Sequence, residues 1–444
     1  MSRLTVAVIG GGYSGTLQAI QLLRRGAVVT LIERAERLGR GIAYSTPHAD
    51  HLLNVAAGRM SAFPDEPSHF ADWLAERGGG GPADFAQRKL YGAYLEELLG
   101  LASAEAGDRL RILGQEAVDI VSSGGREIVR LRNSASIEAD KVILALGNLE
   151  PDVPRGIAPE LRSDGIYVAD PWASDIAAGI GDADTVLLIG TGLTAIDAAL
   201  ILDSAGFRGR TLAISRRGLV PRAHSAAGRH AAGLDAVPEL KGSELVRFVR
   251  QEAGRLGWRA AVDQLRPVTQ PLWARSSPEQ RRRFLRHLRP WWDVHRHRIA
   301  PSIAERMEGM GRDGRLAFAS GKIVSISPQK RGAAAVEWRP RGSDMVERLE
   351  TARIVNCTGP QMDIARAGEP LLDRLLETGR IRPDVCRIGI DVDAENRTLD
   401  SRGYASPSLY AVGPMTRGAV WEIVAVPDIR GQVQVLASRL TGSG

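Results

Sequence analysis

Residues Leu4 to Glu33 read LTVAVIGGGYSGTLQAIQLLRRGAVVTLIE, and this stretch decides the fold of the chain. Leu4–Ile9 is a short, almost unbroken apolar run of strand type, and Val28–Ile32 is a second one. The segment Thr16–Arg25 between them has the spacing of an amphipathic helix. Because parallel strands need a crossover connection, the stretch predicts a strand–helix–strand unit that belongs to a parallel sheet.

A glycine pattern joins the first strand to the helix. Gly10, Gly12 and Gly15 have the GxGxxG spacing. In this pattern the first glycine permits a tight turn, the second leaves room for a pyrophosphate, and the third lets the helix pack closely on the strand. Glu33 ends the second strand, where a carboxylate accepts hydrogen bonds from a ribose and repels a 2′-phosphate. The stretch therefore predicts a site for FAD or NAD rather than NADP, with a plain structural turn as the alternative. Further contacts are expected from Tyr13, Ser14 and Arg34.

A second unit of the same kind begins at Asp184 and reads DTVLLIGTGLTAIDAALILDSAGFRGRTLAISRRG. Gly190 and Gly192 keep the first two glycine positions, and Ala195 takes the third, where only a small residue is needed. The second strand ends not in an acid but in basic residues, which favour the 2′-phosphate of NADPH over NADH. A solvated basic turn is the alternative. The predicted contacts are Gly190, Gly192, Leu193, Thr194, Ser215, Arg216 and Arg217.

Two segments of the chain repeat one pattern. The first contains three predicted strands, Leu110–Val121, Glu127–Arg132 and Ile137–Leu146, the last of them apolar and followed by Gly147. Arg315–Gly359 repeats this pattern of two strands and an apolar strand that ends in small residues and glycine. Gly147, Thr358 and Gly359 are therefore expected to border the nucleotide sites. The predicted fold class is α/β: two Rossmann-like dinucleotide-binding domains with β-meander pieces and a helical insertion. We expect an FAD-binding domain from residues 1–165 and 360–444, and an NADPH-binding domain from 166–359 with the insertion at about 225–300.

Composition excludes several functional classes. The net charge is +6, and Arg281–Arg298 alone holds seven arginines against one aspartate, so no nucleic-acid partner is indicated. The insertion is read as a helical cap with Trp291 and Trp292 in its core; the alternative is that its arginines bind NADPH phosphates or a carboxylate substrate. His295 and His297 form HxH without a nearby acid or cysteine that would complete a ligand set, so no metal is expected.

The cellular setting is also an expectation from the sequence. No apolar run reaches 18 residues, the first strand starts at Leu4, and the two cysteines, Cys357 and Cys386, lie far apart. We therefore expect a cytoplasmic protein without a membrane partner, a leader or a CxxC redox motif. Its oligomeric state stays open.

The last segment, from Ser408, reads SLYAVGPMTRGAVWEIVAVPDIRGQVQVLASRL. Leu409–Val412 is predicted to be the final strand, Gly413 ends it, and a helix is expected from about Asp428 to Leu440. A strand, a glycine and a helix start form a place that can hold a flavin ring. Trp421 and Glu422 are candidates for the ligand side of this place, with core packing as the alternative.

Together these motifs resemble the two-dinucleotide-binding-domain flavoproteins, and more closely a bacterial FAD/NAD(P)-binding protein family. A weaker similarity is to flavin-dependent N-hydroxylating monooxygenases. The shared motifs are GGGYSG at Gly10–Gly15, GIAYS at Gly41–Ser45, LLNV at Leu52–Val55, GTGLTAID at Gly190–Asp197, SRRG at Ser215–Gly218, NCTGP at Asn356–Pro360 and WEIVAVPDIR at Trp421–Arg430.

The resemblance implies FAD and NADPH as cofactors and adds Asn54, Gly413 and Trp421 to the expected cofactor contacts. The chain departs from the flavoprotein pattern at Pro414, because an aspartate that contacts the flavin ribityl chain usually follows the glycine. The absence of paired cysteines excludes a disulfide reductase.

The predicted function is an FAD-dependent oxidoreductase that NADPH reduces, acting on a small-molecule substrate. The favoured reaction is monooxygenation through a flavin hydroperoxide of a nitrogen- or sulfur-containing compound. The alternatives are an NADPH-dependent flavin dehydrogenase or reductase, and a non-enzymatic flavin- or nucleotide-binding sensor. No catalytic side chain is singled out, because the flavin would carry the chemistry.

Overall fold

The computed structural model describes residues 3–172, 175–225, 233–240, 242–330 and 332–442. The described chain forms two parallel-type sheets, each built around one of the two glycine-rich units, and a separate antiparallel meander. This confirms the predicted α/β fold class with two Rossmann-like units.

The first sheet combines strands from both parts of the chain in the order β15-β16-β7-β1-β2-β3. Its apolar strands bury both faces, as a parallel sheet between helices requires. Helices α1 and α14 pack against each other on one face, together with α4. The strands are β1 (Thr5–Ile9), β2 (Val28–Glu33), β3 (Leu110–Gly114), β7 (Lys141–Leu144), β15 (Arg397–Leu399) and β16 (Ala405–Ala411). The helices of this half are α1 (Tyr13–Leu23), α2 (Gly41–Tyr44), α3 (His69–Glu76), α4 (Arg88–Ala106), α13 (Pro370–Glu377) and α14 (Val426–Thr441).

The second sheet has the order β13-β12-β11-β10-β9-β14-β8. Helix α6 is almost wholly buried against it, as its nearly continuous apolar sequence predicts. The strands are β8 (Tyr167–Val168), β9 (Thr185–Ile189), β10 (Arg210–Ser215), β11 (Leu316–Gln329), β12 (Ala333–Pro340), β13 (Glu347–Thr351) and β14 (Arg353–Asn356). The helices are α5 (Pro159–Ser163), α6 (Leu193–Ser204) and α12 (Pro301–Arg312).

The repeated pattern gives two meanders that are built differently. In the first half, β4 (Ala117–Ser123), β5 (Arg126–Leu131) and β6 (Ser136–Ala139) form their own three-stranded sheet. In the second half, the 14-residue strand β11 pairs in parallel with β10 and then antiparallel with β12, so its meander continues the main sheet.

Two strand predictions need correction. Leu110–Val121 was predicted to be one strand, but β3 and β4 divide it between two sheets, and Ile137–Leu146 is divided in the same way between β6 and β7. Only Gln115 and Glu116 lie between β3 and β4, and only Asp140 lies between β6 and β7, so these short gaps do not show the change of sheet. Helix α1 begins at Tyr13, three residues before the predicted start, and α14 begins at Val426.

Five helices make up the insertion within the described residues. They are α7 (Gly242–Leu256), α8 (Trp258–Leu265), α9 (Thr269–Arg275), α10 (Pro278–His287) and α11 (Arg289–Arg296). Residues 226–232 and 241 of the predicted insertion lie outside the described residues. Trp292 packs against buried aromatic residues as predicted, but the prediction for Trp291 is wrong, because its side chain is 48% exposed. The predicted domain limits stay a prediction.

No helix in the described part of the chain combines the length and the apolar character that crossing a membrane requires.

Candidate functional site

The first glycine loop is locked against the neighbouring strand. Gly10 has φ 104°, and a Cβ atom added there would overlap the carbonyl of Ala145 at the end of β7. A Cβ on Gly15 would overlap the Gly10 carbonyl oxygen in turn. These two positions therefore need glycine for the close packing of helix, turn and strand.

The amino end of α1 offers unused hydrogen-bond donors. The backbone N–H groups of Gly12, Tyr13 and Ser14 have no acceptor among the described residues. A Cβ on Gly12 would lie 3.3 Å from the Gly41 Cα, so backbone without side chains faces backbone across this space. Free N–H groups at a helix start, bordered by glycines, suit a phosphate group. This cradle fits the pyrophosphate of a dinucleotide.

The Glu33 carboxylate is held at the end of β2 by two backbone groups. Its oxygens accept hydrogen bonds from Gly11 N–H at 2.6 Å and from Ala35 N–H at 2.8 Å. No cation pairs with it among the described residues, so its charge stays available at the place predicted for a ribose. Arg34 turns away and binds Glu369 through two hydrogen bonds of 2.9 and 3.1 Å.

The second glycine loop repeats this geometry but is open. Gly190 has φ 128° and packs against the Cys357 carbonyl, as Gly10 packs against Ala145. No heavy atom lies within 4 Å of a Cβ added at Gly192. The N–H groups of Gly192, Leu193 and Thr194 have no acceptor among the described residues, so α6 also begins with free donors.

The two arginines after β10, Arg216 and Arg217, differ in their contacts. Arg217 donates from its guanidinium to the carbonyls of His287 and Arg286, at 2.9 and 3.2 Å, and so holds the end of α10. Arg216 is exposed and has no hydrogen-bond or ion-pair partner among the described residues. Ser215 shares a 2.8 Å hydrogen bond with Thr191 and accepts one from Gly218 N–H, which shapes the turn. Of the two arginines, only Arg216 is free to bind a phosphate.

Equivalent positions border the two sites at the ends of β7 and β14. Gly147 has φ 72° and Gly359 has φ 85°, and added Cβ atoms would meet open space at both. The Thr358 hydroxyl donates to Asn356 Oδ1 at 2.7 Å. Gly413 follows β16 and lies directly on Ser14, which closes the first site from the side of the last strand.

The LLNV segment, Leu52–Val55, contacts the second half of the chain. The Asn54 carbonyl is 2.9 Å from His224 Nε2 of the second half. Arg88 of α4 binds both carboxylate oxygens of Asp197 on α6, at 2.5 and 3.1 Å. Tyr91 is fully buried and packs near Tyr13 and Tyr44, so it belongs to the core beneath α1 and α2.

A pocket of about 310 Å³ opens where the insertion meets the amino end of α14. Glu422 lines it, is 8% exposed and has φ 68°, a strained conformation for a non-glycine residue. Burial raises the pKa of the Glu422 carboxyl, but His297, Arg296 and Trp292 outweigh this effect and lower it to about 2. The lining residues are Arg266, Pro267, Thr269, Gln270, Arg296, Glu422, Pro427 and Asp428.

Arg417 is a second buried charge in this region. It is 9% exposed, and its side chain has no hydrogen-bond or ion-pair partner among the described residues. Burial, with the repulsion from Arg289, lowers its pKa to about 10. It follows Gly413 and Pro414, close in sequence to the position where related flavoproteins usually carry an aspartate.

Trp421 packs beside this pocket, in a small aromatic cluster. Its ring stacks on Trp273 of α9 with 4.7 Å between centroids, and it is 4% exposed. Its Nε1 has no hydrogen-bond partner. Its predicted contact with a cofactor stays a prediction, whereas its packing against the insertion is observed.

Residues 7–149 match the model of a family described as FAD-NAD(P)-binding. The chain carries an FAD/NAD(P)-binding domain. The match covers the first glycine loop, Glu33 and Gly147, and it confirms the predicted resemblance and the predicted class of cofactor. No curated protein sequence matches the chain.

Solved structures resemble the FAD/NAD(P)-binding domain together with the rest of the chain. L-lysine 6-monooxygenase from Pseudomonas syringae is 18% identical with a TM-score of 0.67, covering 98% of each chain. An ornithine N-hydroxylase from Kutzneria sp. 744, with reduced FAD, NADP⁺ and L-ornithine, is 16% identical with a TM-score of 0.65 over 100% of each chain. Thioredoxin reductase from T. acidophilum is 14% identical with a TM-score of 0.55, covering 99% of this chain and 97% of its own. At these identities the likeness shows the fold, which is that of two-domain flavoproteins.

The sequence singled out the glycine loops but missed most of the pocket. Arg266 and Gln270 follow no motif, and Asp428 was noted only as the start of a helix. The one available signal was the basic composition of the insertion, which did not show which arginines face inward.

Proposed function

We propose that the chain is an FAD-dependent oxidoreductase that NADPH reduces and that hydroxylates a nitrogen or sulfur atom of a small substrate. One observation carries the cofactor assignment. Two helix starts offer free N–H groups, and the strand beside one ends in the Glu33 carboxylate while the strand beside the other ends in the unpaired Arg216. The carboxylate favours a nucleotide with a free ribose hydroxyl, and the guanidinium favours one that carries a 2′-phosphate.

Different residues would bind the two cofactors. Gly12, Tyr13 and Ser14 would bind the FAD pyrophosphate, and Glu33 would accept from its ribose. Gly192, Leu193 and Thr194 would bind the NADPH pyrophosphate, with Arg216 on the 2′-phosphate. FAD, when bound, supplies hydride acceptance and reaction with dioxygen.

The rest of the chain would position the reactants and exclude water. The turn after Gly413 and the amino end of α14 bring the charged pocket next to the FAD half of the molecule. The residues of the pocket would orient the substrate, so that no acid, base or nucleophile from the chain needs to form a bond to it. The fold shared with lysine and ornithine hydroxylases supports this reaction class.

The cofactor assignment is tested by the absorbance spectrum of the purified protein. We expect bands of oxidised flavin that bleach on anaerobic addition of NADPH and much more slowly with NADH. A protein that binds no flavin, or that NADPH does not bleach, would contradict the proposal.

The reaction is tested with ¹⁸O₂ and a panel of amines and thiols. In monooxygenation, NADPH, a proton, dioxygen and substrate give NADP⁺, water and hydroxylated substrate, so one labelled oxygen enters the product. NADPH oxidation that continues without dioxygen when a quinone is present, with no labelled product, would instead identify a reductase.

A further inference from the structure

The pocket between the insertion and the amino end of α14 contains charges that the protein itself leaves incompletely paired. Its volume of about 310 Å³ lies at the lower end of the range of about 300–1,000 Å³ typical of small-molecule sites. Buried charges are normally paired and hydrogen-bonded. The exceptions in this pocket therefore indicate which groups a ligand would supply.

The cationic groups come from the insertion. The Arg266 guanidinium makes no hydrogen bond among the described residues, and the carboxylate oxygen paired with it, Asp428 Oδ2, is 3.8 Å from its Nη2. Arg296 uses only its Nε toward Glu422, at 3.1 Å, and its two terminal nitrogens donate no hydrogen bond among the described residues. Guanidinium groups with free donors match a carboxylate, which can accept two parallel hydrogen bonds.

The anionic groups come from the segment that leads into α14. Asp428 Oδ2 is buried without a hydrogen-bond partner among the described residues, and so is Glu422 Oε2, whose ion-pair contact is Arg296 Nε at 3.1 Å. Glu422 is more than nine-tenths buried and its carboxylate faces the pocket. An ammonium group, with three donors and no acceptor, would satisfy such oxygens. Gln270 also lines the pocket, and its side chain makes no hydrogen bond among the described residues.

We propose that this pocket binds a small dipolar molecule, with its carboxylate on Arg266 and Arg296 and its ammonium group on Asp428. The proposal rests on the proposed function, since such a molecule would be the substrate of that site. Two arginines and two acids give the pocket no net charge, so a ligand with both charges fits it better than a simple anion or cation.

The test compares three ligands of equal length by calorimetry on the FAD-loaded protein at pH 7. The probes are 5-aminopentanoate, pentanoate without the amine, and pentylamine without the carboxylate. We expect 5-aminopentanoate to bind about 10- to 100-fold more tightly than either single-charge compound, the range for losing a hydrogen-bonded charge. Equal affinities for the three compounds, or no binding of 5-aminopentanoate at 10 mM, would overturn the proposal.

Two variants assign the ends of the ligand. Arg266→Gln should weaken the binding of 5-aminopentanoate about 10- to 100-fold without changing the binding of pentylamine. Asp428→Asn should weaken the binding of 5-aminopentanoate without changing the binding of pentanoate. Arg275→Gln is the matched control, because Arg275 is exposed on α9 outside the pocket. The flavin absorbance and melting temperature of each variant show whether it is folded. An effect of the control as large as that of Arg266→Gln would overturn the proposal.

The outcome is separable from the proposed function because binding is measured without NADPH or dioxygen. Selective binding of the dipolar probe without NADPH oxidation would retain the pocket and reject the oxidoreductase. NADPH oxidation without selective binding would retain the oxidoreductase and reject the pocket as a site for a dipolar ligand.

Discussion

In the proposed assignment of the two cofactors, single residues distinguish one nucleotide site from the other. Arg216 and Arg217 are adjacent, yet one is unpaired and the other is bound to backbone carbonyls of α10. The sequence treats them as one basic pair, because a dipeptide does not show which side chain has a partner in the fold. Only Arg216 can therefore be tested as a phosphate-binding residue without disturbing the insertion.

Arg216→Glu should raise the KM for NADPH roughly 10- to 100-fold and leave the KM for NADH nearly unchanged, because the variant removes one charge-assisted contact with the 2′-phosphate. Steady-state oxidation of both coenzymes measures this. Arg283→Glu is the control, since it makes the same charge change on the exposed side of α10. Equal effects of Arg216→Glu on the two coenzymes would remove the 2′-phosphate assignment.

Glu422 carries a prediction about pH. A carboxyl whose pKa falls to about 2 in the folded protein contributes stability above its unfolded pKa of about 4.3, and that stability is lost as the pH falls toward 2. Glu422→Gln should therefore lower the free energy of unfolding by about 3 kcal/mol at pH 7. The difference from the native protein should shrink between about pH 4.3 and pH 2.

Urea titrations at pH 7, 4 and 3 measure this dependence. The exposed residue Glu105 on α4 provides the control, since Glu105→Gln should change stability by less than about 0.5 kcal/mol at each pH. A Glu422→Gln effect that stays constant down to pH 3 would show that the charge is not the cause.

At the scale of elements, the two glycine loops share a plan but differ in their surroundings. The backbone of Gly41 faces Gly12 at van der Waals distance, whereas nothing described lies near Gly192. Their strand–glycine–helix patterns are equivalent in sequence, so the pattern predicted both loops, whereas the cofactor contacts of their residues stay a prediction. The segment that approaches Gly12 comes from 29 positions along the chain, and no local pattern records such a contact.

Gly192→Ala should leave stability within about 1 kcal/mol of the native value, because φ at this position is −85° and the space is empty. The KM for NADPH should nevertheless rise roughly tenfold or more, since the added Cβ occupies the side from which a pyrophosphate approaches. Thermal unfolding and coenzyme kinetics measure the two effects separately.

Gly190→Ala is the contrasting variant in the same loop. Its Cβ would overlap the Cys357 carbonyl at φ 128°, so it should cost more than about 2 kcal/mol of stability. If Gly192→Ala also loses this much stability, the space around Gly192 is not open in solution.

The limits of the sequence are clearest for the pocket. The glycine loops are contiguous motifs, and the sequence located them together with the acid and the arginines that follow. The pocket is assembled from the turn after α8, from α9 and α11, and from the start of α14 with the chain that leads into it. Its residues from the insertion and those near α14 are more than 100 positions apart. Their charges look like ordinary solvated surface in the sequence, and only the packing of the insertion onto α14 buries them.

For the whole molecule, the two halves are held together by a buried ion pair. Arg88 and Asp197 have 14% and 6% of their side chains exposed, and they join α4 of the first half to α6 of the second. His51 lies beside them, with Nε2 3.2 Å from the Asp197 carbonyl. The relative position of the two nucleotide sites therefore depends on this contact.

Arg88→Met should destabilise the protein by about 3–5 kcal/mol, because it leaves the Asp197 charge buried without its partner. The double variant Arg88→Met/Asp197→Leu should recover most of this loss. Denaturant unfolding of the single and double variants measures the coupling. Arg366→Met removes the exposed pair with Asp152 and should cost less than about 1 kcal/mol. A double variant as unstable as the single one would show that packing, and not charge, dominates.

The first sheet draws β15 and β16 from far along the chain, and this has a consequence for biosynthesis. A ribosome that adds about 5–20 residues per second needs on the order of 10–50 s to proceed from β7 to β16. During that interval Ser14 has no Gly413 to lie against, and α1 has no α14. The first glycine loop is therefore among the earliest segments to emerge from the ribosome and among the last to be enclosed. Nascent chains that stop before residue 397 should expose the apolar face of α1 to chaperones.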